Sequence, residues 1–373
     1  MNAKQRIAAV VALQKPDRVP VAPLLDHYAA TYSGYTNAEI MMEGDKRIDA
    51  VIKTATELGP WDMTFLADTA NAVLLQMGVP MPIKLPGRDL PVNVTHQFHE
   101  TEFLTPDDYS LLERKGMLRF MMDVMGRLKP EWKGLPGFIH LTKTFWEYRR
   151  HVKMVNSRGM EVAVGFVIPG VLYEYFSFGR GITAMSADTF KRKDVIISAG
   201  KVWAKGMANL AIFASRFCGV PRVFIGMARS SADFISRRNF ETLCLPDLEY
   251  IINRLVEAGI TPILHCDTNW TKFFDLFLRF PAHKCILELD GRSDIFKAKE
   301  ILGEHMCIMG DVPATLLAMG TRDEVLAYCR RLIETVGKGG GFILSSGCSL
   351  PNNAKVENVR ALYEAVQEWG WYS

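Results

Sequence analysis

The sequence lacks any apolar run long enough to cross a membrane, and it carries almost no excess of one charge. The formal net charge of its 373 residues is +3, so the composition does not indicate a nucleic acid or another polyanion as a partner. No signal-peptide pattern opens the sequence, because Met1–Gln5 leads directly into an amphipathic stretch. We therefore expect a cytoplasmic protein that binds neither membranes nor nucleic acid.

A pattern of paired cysteines is also absent. The seven cysteines are an odd number, and they are scattered through the second half of the chain. In a cytoplasmic protein this indicates reduced thiols rather than a disulfide framework. We expect Cys285 and Cys307, which fall in predicted strands, to be buried thiols. A functional cysteine in this sequence is then expected to be a metal ligand or a nucleophile rather than a disulfide partner.

The sequence has no glycine-rich phosphate loop of the Gly-x-Gly-x-x-Gly type between a strand and a helix. The glycine-rich stretch at residues 337–344, GKGGGFIL, precedes a predicted strand instead. We interpret it as a helix stop followed by a tight turn. A nucleotide-binding open sheet is therefore not favoured.

Eight short apolar runs that do not alternate in polarity are separated by helical sequence, which is typical of strands buried on both faces. These runs are residues 19–25, 61–67, 161–169, 222–227, 261–266, 285–289, 306–310 and 341–345. The pattern predicts an α/β fold, a single (β/α)₈ barrel over residues 1–373, with a β excursion at 79–104 after the second strand. A doubly wound open sheet is the alternative, and the count of eight favours the barrel.

Helical periodicity fills the sequence between these runs. The predicted helices cover about 45–58, 106–128, 142–157, 188–216, 239–258, 271–279, 294–303, 321–337 and 354–369.

The active site of such a barrel lies at the carboxyl ends of its strands, so polar residues there are candidates. They are Asp26, His27, Asp68, Glu174, Arg229, Ser230, Ser231, His265, Cys266, Asp267, Glu288, Asp290, Asp311, Ser345, Ser346 and Cys348. Charged residues cap strand ends in any barrel, so a single member of this set means little. His265, Asp267 and Cys348 at one rim carry more weight. His96, His99 and His151 fall in the excursion and in helical segments, and we expect them on the surface.

Strand alternation separates the three adjacent polar residues at 265–267. If the strand runs through residue 267, His265 and Asp267 share the inward face, and Cys266 faces the helices. If the strand ends at 265, Cys266 remains an alternative partner of His265. An imidazole, a carboxylate and the Cys348 thiolate would make a zinc site with an open fourth position.

Three stretches of the sequence carry a resemblance to a known family. They are TPILHCDTN from residue 261, ILGEHMCIMGDVPATLLAMGTRDEV from residue 301 and GKGGGFILSSGCSLPNNAKVENVRAL from residue 337. They closely resemble the uroporphyrinogen decarboxylase superfamily, and within it the branch of cobalamin-dependent methyltransferases. The pattern Gly-Gly-Phe-Ile-Leu-x-x-Gly-Cys-x-x-Pro of that branch is matched from Gly340 to Pro351. The resemblance covers the C-terminal half and implies an α/β barrel.

The methyltransferase branch binds zinc through a histidine and two cysteines. The resemblance places His265 and Cys348 on two of these positions and Asp267 on the third, where the usual motif has cysteine. A carboxylate donates less electron density than a thiolate, so the zinc would be a stronger Lewis acid, suited to an ether or alkoxide oxygen. The cobalamin would be carried by a separate corrinoid protein, because the sequence has no Asp-x-His-x-x-Gly motif.

True uroporphyrinogen decarboxylases hold their substrate carboxylates with N-terminal arginines. The corresponding region here reads PVAPLLDHYAATYSGY, and no arginine occurs between Arg18 and Arg47. A substrate with many carboxylates needs bidentate cationic clamps, so porphyrinogen decarboxylation is not favoured. Asp68 lies roughly where those enzymes hold their catalytic aspartate.

The resemblance thus implies a zinc-dependent methyltransferase that moves a methyl group between a small methylated compound, such as a methoxylated aromatic, and cobalamin. Asp26, His27 or Asp68 would donate a proton to the leaving oxygen. The expected substrate-binding residues are Tyr28, Tyr173, Tyr175, Phe176, Arg229 and Trp270. The alternatives are transfer from methylcobalamin to a thiol or tetrahydrofolate, a decarboxylase or lyase that binds a carboxylate through Arg229 or Arg180, and a non-catalytic corrinoid-binding scaffold.

Overall fold

A parallel sheet of six strands forms the centre of the fold, in a computed structural model that describes residues 1–66 and 70–373. The strands of the described residues are β1 (Met63–Thr64), β2 (Ile83–Lys84), β3 (Gln97–Phe98), β4 (Glu161–Val162), β5 (Phe166–Ile168), β6 (Arg222–Met227), β7 (Thr261–Cys266), β8 (Ile286–Leu289), β9 (Cys307–Val312) and β10 (Phe342–Ser346). The six-stranded sheet has the order β10-β9-β8-β7-β6-β5, and every neighbouring pair in it is parallel.

Hydrogen bonds on both sides of residues 20–22 close this sheet into a ring. On one side the Ala22 amide donates to the Leu344 carbonyl of β10 at 2.9 Å. On the other side the Asp62 amide donates to the Val21 carbonyl at 2.9 Å. β1 then pairs with β4, and the Gly165 amide between β4 and β5 donates to the Arg222 carbonyl at 2.8 Å. The predicted eight-stranded barrel is confirmed.

The predicted β excursion is confirmed as well. β2 and β3 pair antiparallel, with Ile83 opposite Phe98. We call residues 79–104, which carry this pair, the excursion hairpin.

The helices of the described residues surround the ring. They are α1 (Ala3–Val11), α2 (Tyr28–Ser33), α3 (Asn37–Met42), α4 (Gly44–Glu57), α5 (Ala72–Gly78), α6 (Asp107–Lys115), α7 (Met117–Leu128), α8 (Leu135–Asn156), α9 (Leu172–Arg180), α10 (Ile182–Lys191), α11 (Lys193–Cys218), α12 (Arg237–Leu243), α13 (Leu245–Glu257), α14 (Ile295–Leu302), α15 (Ala314–Met319), α16 (Arg322–Thr335) and α17 (Val356–Trp369). None of them is long and apolar enough to cross a bilayer.

The predicted helix boundaries differ from the structure in a few places. The stretch 106–128 is two helices, because Gly116 between α6 and α7 has φ +74°, a conformation that only glycine adopts readily. Helix α8 begins at Leu135, seven residues earlier than predicted, since Pro136 is tolerated in a first turn. The predicted helix at 271–279 is 3₁₀ in character.

The barrel interior has its own apolar core, separate from the layer between strands and helices. Along β7, Ile263 belongs to the interior core with Ala163, Ile286 and Ile343. Leu264 and Cys266 belong to the outer layer. The strand therefore turns residues 263 and 265 inward, which positions the polar residues at its carboxyl end.

Candidate metal centre

His265, Asp267 and Cys348 bring three metal-binding atoms together at the carboxyl end of the barrel. The three atoms all lie within 4.8 Å of one another. Nε2 of His265 is 3.1 Å from Oδ1 of Asp267 and 3.6 Å from Sγ of Cys348. A tetrahedral zinc ion with ordinary bond lengths would separate such donors by about 3.3–3.6 Å. The spacing of these atoms therefore fits a zinc ion with three protein ligands.

Glu288 fixes the orientation of the His265 ring. The two residues are direct partners in the pairing of β7 with β8, and Nδ1 of His265 lies 3.0 Å from Oε2 of Glu288. A proton on Nδ1 that is donated to this carboxylate leaves Nε2 with a free lone pair toward Asp267 and Cys348. The Phe224 ring stacks on the imidazole with 4.7 Å between ring centroids. Glu288 was predicted only as a polar residue at a strand end, because the register that pairs it with His265 cannot be derived from the sequence of either strand.

The backbone after β7 holds Asp267 in place. Its amide donates to the Met227 carbonyl at 3.1 Å, and its carbonyl accepts from Nε1 of Trp270 at 2.8 Å. Thr268 has φ +68°, which is unusual for a β-branched residue, and its amide donates to Asp290 at 2.8 Å. The chain thus turns sharply after Asp267 and leaves its carboxylate beside His265.

The charges of the three candidate ligands are strongly coupled. Burial alone would lower the pKa of His265, but the neighbouring Asp267, Glu288 and Cys348 raise this pKa well above its usual value. Burial works to raise the pKa of Asp267, yet the contacts with His265 and Cys348 hold this pKa below its usual value. The cluster is therefore a strong site for positive charge, and a metal cation would displace protons from it.

Cys266 does not join this cluster. It is fully buried in the layer between the barrel and the helices. Burial raises the pKa of its thiol well above the usual value, so it stays protonated. The geometry leaves Asp267 rather than Cys266 beside His265.

Asp26 and His27 lie at the same rim, since the first barrel segment is the neighbour of β10. Both side chains are buried, and the Ser349 hydroxyl, next to Cys348 in the chain, donates to the Asp26 carboxylate. Nε2 of His27 is 3.0 Å from Nδ1 of His96 in the excursion hairpin. The third expected proton donor, Asp68, lies outside the described residues.

The expected surface position is wrong for two of three histidines. His96 is half-buried against His27, and His151 is buried in α8, where burial and the positive charges of Arg47 and Arg150 lower its pKa to about 4. His99 is exposed, as expected.

Three of the aromatic residues expected to bind a substrate, Tyr175, Phe176 and Trp270, lie in packed cores. Tyr175 packs on Trp203 at 4.5 Å and Phe176 on Tyr109 at 4.4 Å between ring centroids. Helix α9 therefore directs these side chains toward other helices. Trp270 has no exposed surface and supports Asp267 through its indole N–H.

Tyr28 and Tyr173 are also buried, and each of them carries a hydroxyl group into the interior. Neither hydroxyl has a hydrogen-bond partner among the described residues. Burial raises the pKa of Tyr28 to about 12, so this hydroxyl stays protonated.

Arg229 is already engaged by the protein. Its guanidinium forms an ion pair with Glu100 of the excursion hairpin at 2.9 Å, donates to the Ser177 carbonyl at 2.9 Å and covers the Phe178 ring at 4.3 Å. The backbone of the same loop is held by Glu174, which accepts from the Arg229 amide at 2.6 Å. Glu100 and Ser177 thus engage Nη1 and Nη2 of Arg229, so a substrate carboxylate would compete with Glu100 for this guanidinium.

Arg180, the second arginine expected to bind a carboxylate, is engaged as well. It pairs with Asp188 at 2.9 Å and donates to the Leu104 carbonyl at 3.0 Å. Neither arginine offers a free guanidinium at the barrel rim.

Comparison with known proteins agrees with this architecture. Residues 209–369 match the family model described as uroporphyrinogen decarboxylase (URO-D). A uroporphyrinogen decarboxylase of Trichodesmium erythraeum is 24% identical over 280 residues, which are 70% of this chain and 73% of the relative. One of Anaeromyxobacter dehalogenans is 25% identical over 137 residues, so the chain spans only 38% of that relative's length.

Among solved structures, a methyltransferase from Methanosarcina mazei has a TM-score of 0.72 and 16% identity, and the match covers 99% of each chain. At this identity the likeness concerns the fold. The C-terminal part of the chain is thus similar to uroporphyrinogen decarboxylases in sequence, and the whole chain shares its fold with the Methanosarcina mazei methyltransferase.

Proposed function

We propose that the protein is a zinc-dependent methyltransferase that moves a methyl group between a small methylated compound and the cobalamin of a separate corrinoid protein. The observation that carries the proposal is the cluster of His265, Asp267 and Cys348, with Glu288 bonded to the far nitrogen of the histidine. Three protein ligands and one open position are the arrangement of catalytic rather than structural zinc sites.

The donor set fits zinc in charge as well as in spacing. A neutral imidazole, a carboxylate and a thiolate carry two negative charges, which a divalent cation neutralises. When bound there, zinc supplies Lewis acidity at its open position to an oxygen or sulfur atom of the substrate. Asp267 in place of a second thiolate favours the harder oxygen atom.

The hydroxyl groups of Tyr28 and Tyr173, which are buried without hydrogen-bond partners among the described residues, are candidates to bind polar atoms of the substrate. An aromatic substrate would need exposed aromatic rings to stack on, and Tyr175, Phe176 and Trp270 are buried in packed cores, so we propose a small ether, alcohol or thiol. The partner with the cobalamin is inferred from the resemblance of the C-terminal motifs, and the solved structure with the shared fold is itself named a methyltransferase.

The alternative of a decarboxylase or lyase has less support. It requires a cationic clamp for the substrate carboxylate, and both candidate arginines, Arg180 and Arg229, are held by acidic side chains of the protein.

Metal analysis combined with a cobalamin assay tests the proposal. We expect one zinc ion per chain, lost in His265→Ala and Cys348→Ala and retained in Cys266→Ala, which is the matched control. The change in cobalamin absorbance reports methyl transfer in both directions, with a panel of methylated ethers, alcohols and thiols. A metal-free protein with full activity, or a zinc-loaded protein that transfers no methyl group, would overturn the proposal.

A further inference from the structure

Gly226 leaves a gap in the barrel wall beside the metal-binding cluster. In the parallel pairing of β6 with β7, Gly226 is the direct partner of His265, so both positions face the barrel interior. On the other side of β7 the partner of His265 is Glu288, whose side chain is fully buried against the histidine. One flank of His265 is thus filled by a carboxylate, and the other is bordered by a residue without a side chain.

The backbone does not require a glycine at position 226. The φ angle of Gly226 lies outside the left-handed region that favours glycine. The pairing of β6 with β7 runs from Arg222 to Met227 without a skipped residue, so no bulge interrupts the strand. A glycine inside a regular strand weakens it, and it often marks a place where a ligand or another backbone comes close.

Close packing does not require the glycine either. Apart from its own chain neighbours, the atoms nearest to a Cβ added at Gly226 would be the Ile168 carbonyl oxygen at 3.7 Å and Cε1 of Phe224 at 4.0 Å. Both are ordinary contact distances, so no neighbouring backbone occupies the place of the missing side chain. A ligand is the remaining reason for a glycine in this strand.

Apolar side chains surround the gap. Phe224, two residues before Gly226 on the same face of β6, packs against the interior core, stacks on the His265 ring at 4.7 Å and is only partly buried. Val167 of β5 is the direct partner of Phe224 and therefore faces the interior too. It is 40% exposed, although it belongs to a barrel strand. Phe224 and Val167 thus offer apolar surface to a ligand in the barrel mouth.

We propose that Gly226 determines which substrates the site accepts, because the gap beside His265 receives the carbon group attached to the reacting oxygen or sulfur atom. The inference rests on the proposed function and specifies its substrate class, which is a thiol, alcohol or ether with a small alkyl group. Phe224 and Val167 cannot form hydrogen bonds with this group through their side chains, so a polar or charged substituent is disfavoured there.

Isothermal titration calorimetry of the zinc-loaded protein with ethanethiol, 1-propanethiol and 1-butanethiol tests the role of the gap. We expect the wild-type affinity to rise about fourfold for each CH₂ group that enters the gap. Gly226→Ala should keep the zinc content and the affinity for ethanethiol, but its affinity for 1-butanethiol should fall by about 5- to 100-fold, because the added methyl group takes the space. Gly226→Val should show a larger loss.

Gly78→Ala is the matched control. Gly78 in α5 is also partly exposed, and nothing lies within 4 Å of a Cβ added there. This variant should keep all three wild-type affinities. A thermal melt checks the fold of the Gly226 variants, and we expect no loss of stability in Gly226→Ala, since the backbone at this position suits alanine.

The apolar character of the gap has its own test. The molecules 1-propanethiol and 2-mercaptoethanol have the same number of non-hydrogen atoms, and the wild-type protein should prefer the former by about tenfold. Val167→Thr, which is nearly isosteric, should reduce this preference without a change in zinc content. An equal preference in the wild type and in Val167→Thr would contradict the contact with Val167.

The outcomes separate the inference from the proposed function. Wild-type affinities for all three alkanethiols in both Gly226 variants would overturn the inference, and so would a wild-type protein whose affinity does not depend on chain length. A wild-type protein with the expected dependence on chain length that moves no methyl group in the cobalamin assay contradicts only the proposed function. Methyl transfer with the same substrate preference in the wild type and in Gly226→Val contradicts only the role of Gly226.

Discussion

The carboxylate of Glu288 lies 3.0 Å from Nδ1 of His265 and has no exposed surface. The pair joins two neighbouring barrel strands, and it leaves Nε2 of the histidine for a metal. The second carboxylate oxygen of Glu288 has no partner among the described residues. The position of this acidic group is therefore explained by the histidine it orients.

Glu288→Gln should weaken zinc binding by about 10- to 100-fold, because an amide N–H toward Nδ1 would drive the histidine proton onto Nε2. Competition with a chromophoric chelator measures the affinity, and a thermal melt checks that the variant is folded. Equal zinc affinity in a folded Glu288→Gln variant would show that the pair does not control the ligand.

Asp267→Cys should tighten zinc binding and lower the rate with oxygen substrates, because a second thiolate donates more electron density to the metal. Replacement of zinc by cobalt(II) makes the change visible, since a new thiolate adds intensity to the charge-transfer bands. Cys266→Ala is the control and should leave the metal spectrum unchanged, with a loss of folding free energy of about 1 kcal/mol. A cobalt spectrum that changes in the control would place Cys266 on the metal.

Thr268 combines a positive φ with hydroxyl contacts to Ser231 at 2.5 Å and to the Ala228 carbonyl at 3.3 Å. Thr268→Gly removes the hydroxyl but suits the backbone, whereas Thr268→Ala removes the hydroxyl and keeps the strained backbone. We expect the alanine variant to be less stable than the glycine variant by about 1 kcal/mol. Urea unfolding measures the difference, and equal stabilities would show that the backbone at this position is not strained.

Ionisation of the buried Asp311 carboxyl should lower the free energy of unfolding as the pH rises. Burial raises the pKa of this carboxyl to about 6, against a hydrogen bond from Tyr328 at 2.8 Å. The folded state then binds more protons than the unfolded state between about pH 4 and 6, so the free energy of unfolding falls across this window. The loss is about 3 kcal/mol.

Asp311→Asn tests this pH dependence, because the amide cannot ionise. The variant should melt higher than the wild type at pH 8, and the difference should vanish near pH 4. Melting curves that differ equally at both pH values would assign the effect to packing rather than to ionisation.

Strand periodicity and one motif were sufficient to predict the barrel and the three candidate metal ligands. The eight apolar runs predicted the barrel, which the ring of hydrogen bonds confirms. Alternation along 261–267 predicted that His265 and Asp267 share a face, and their side-chain atoms lie 3.1 Å apart. The motif from Gly340 to Pro351 pointed to Cys348. These inferences depend on local geometry, which repeats every two residues in a strand.

Contacts between distant segments were not predictable in the same way. The aromatic residues of α9 looked like a pocket in sequence, but the packing of α6 and α11 against this helix buries Tyr175 and Phe176. Arg229 looked free for a substrate, but it pairs with Glu100, 129 residues away. The sequence around α9 does not indicate which helices pack on it, and the sequence around Arg229 does not indicate that Glu100 is its partner.

The sequence by itself determined the eight segments that form the barrel, their order along the chain and the residue types at the barrel rim. Only the tertiary structure decided that Glu288 orients His265 and that the excursion hairpin returns His96 to His27. The physical reason is that hydrophobic periodicity is a property of each element alone. Strand register and hairpin placement depend on pairing across the chain, where hydrogen bonds and buried charges select one arrangement.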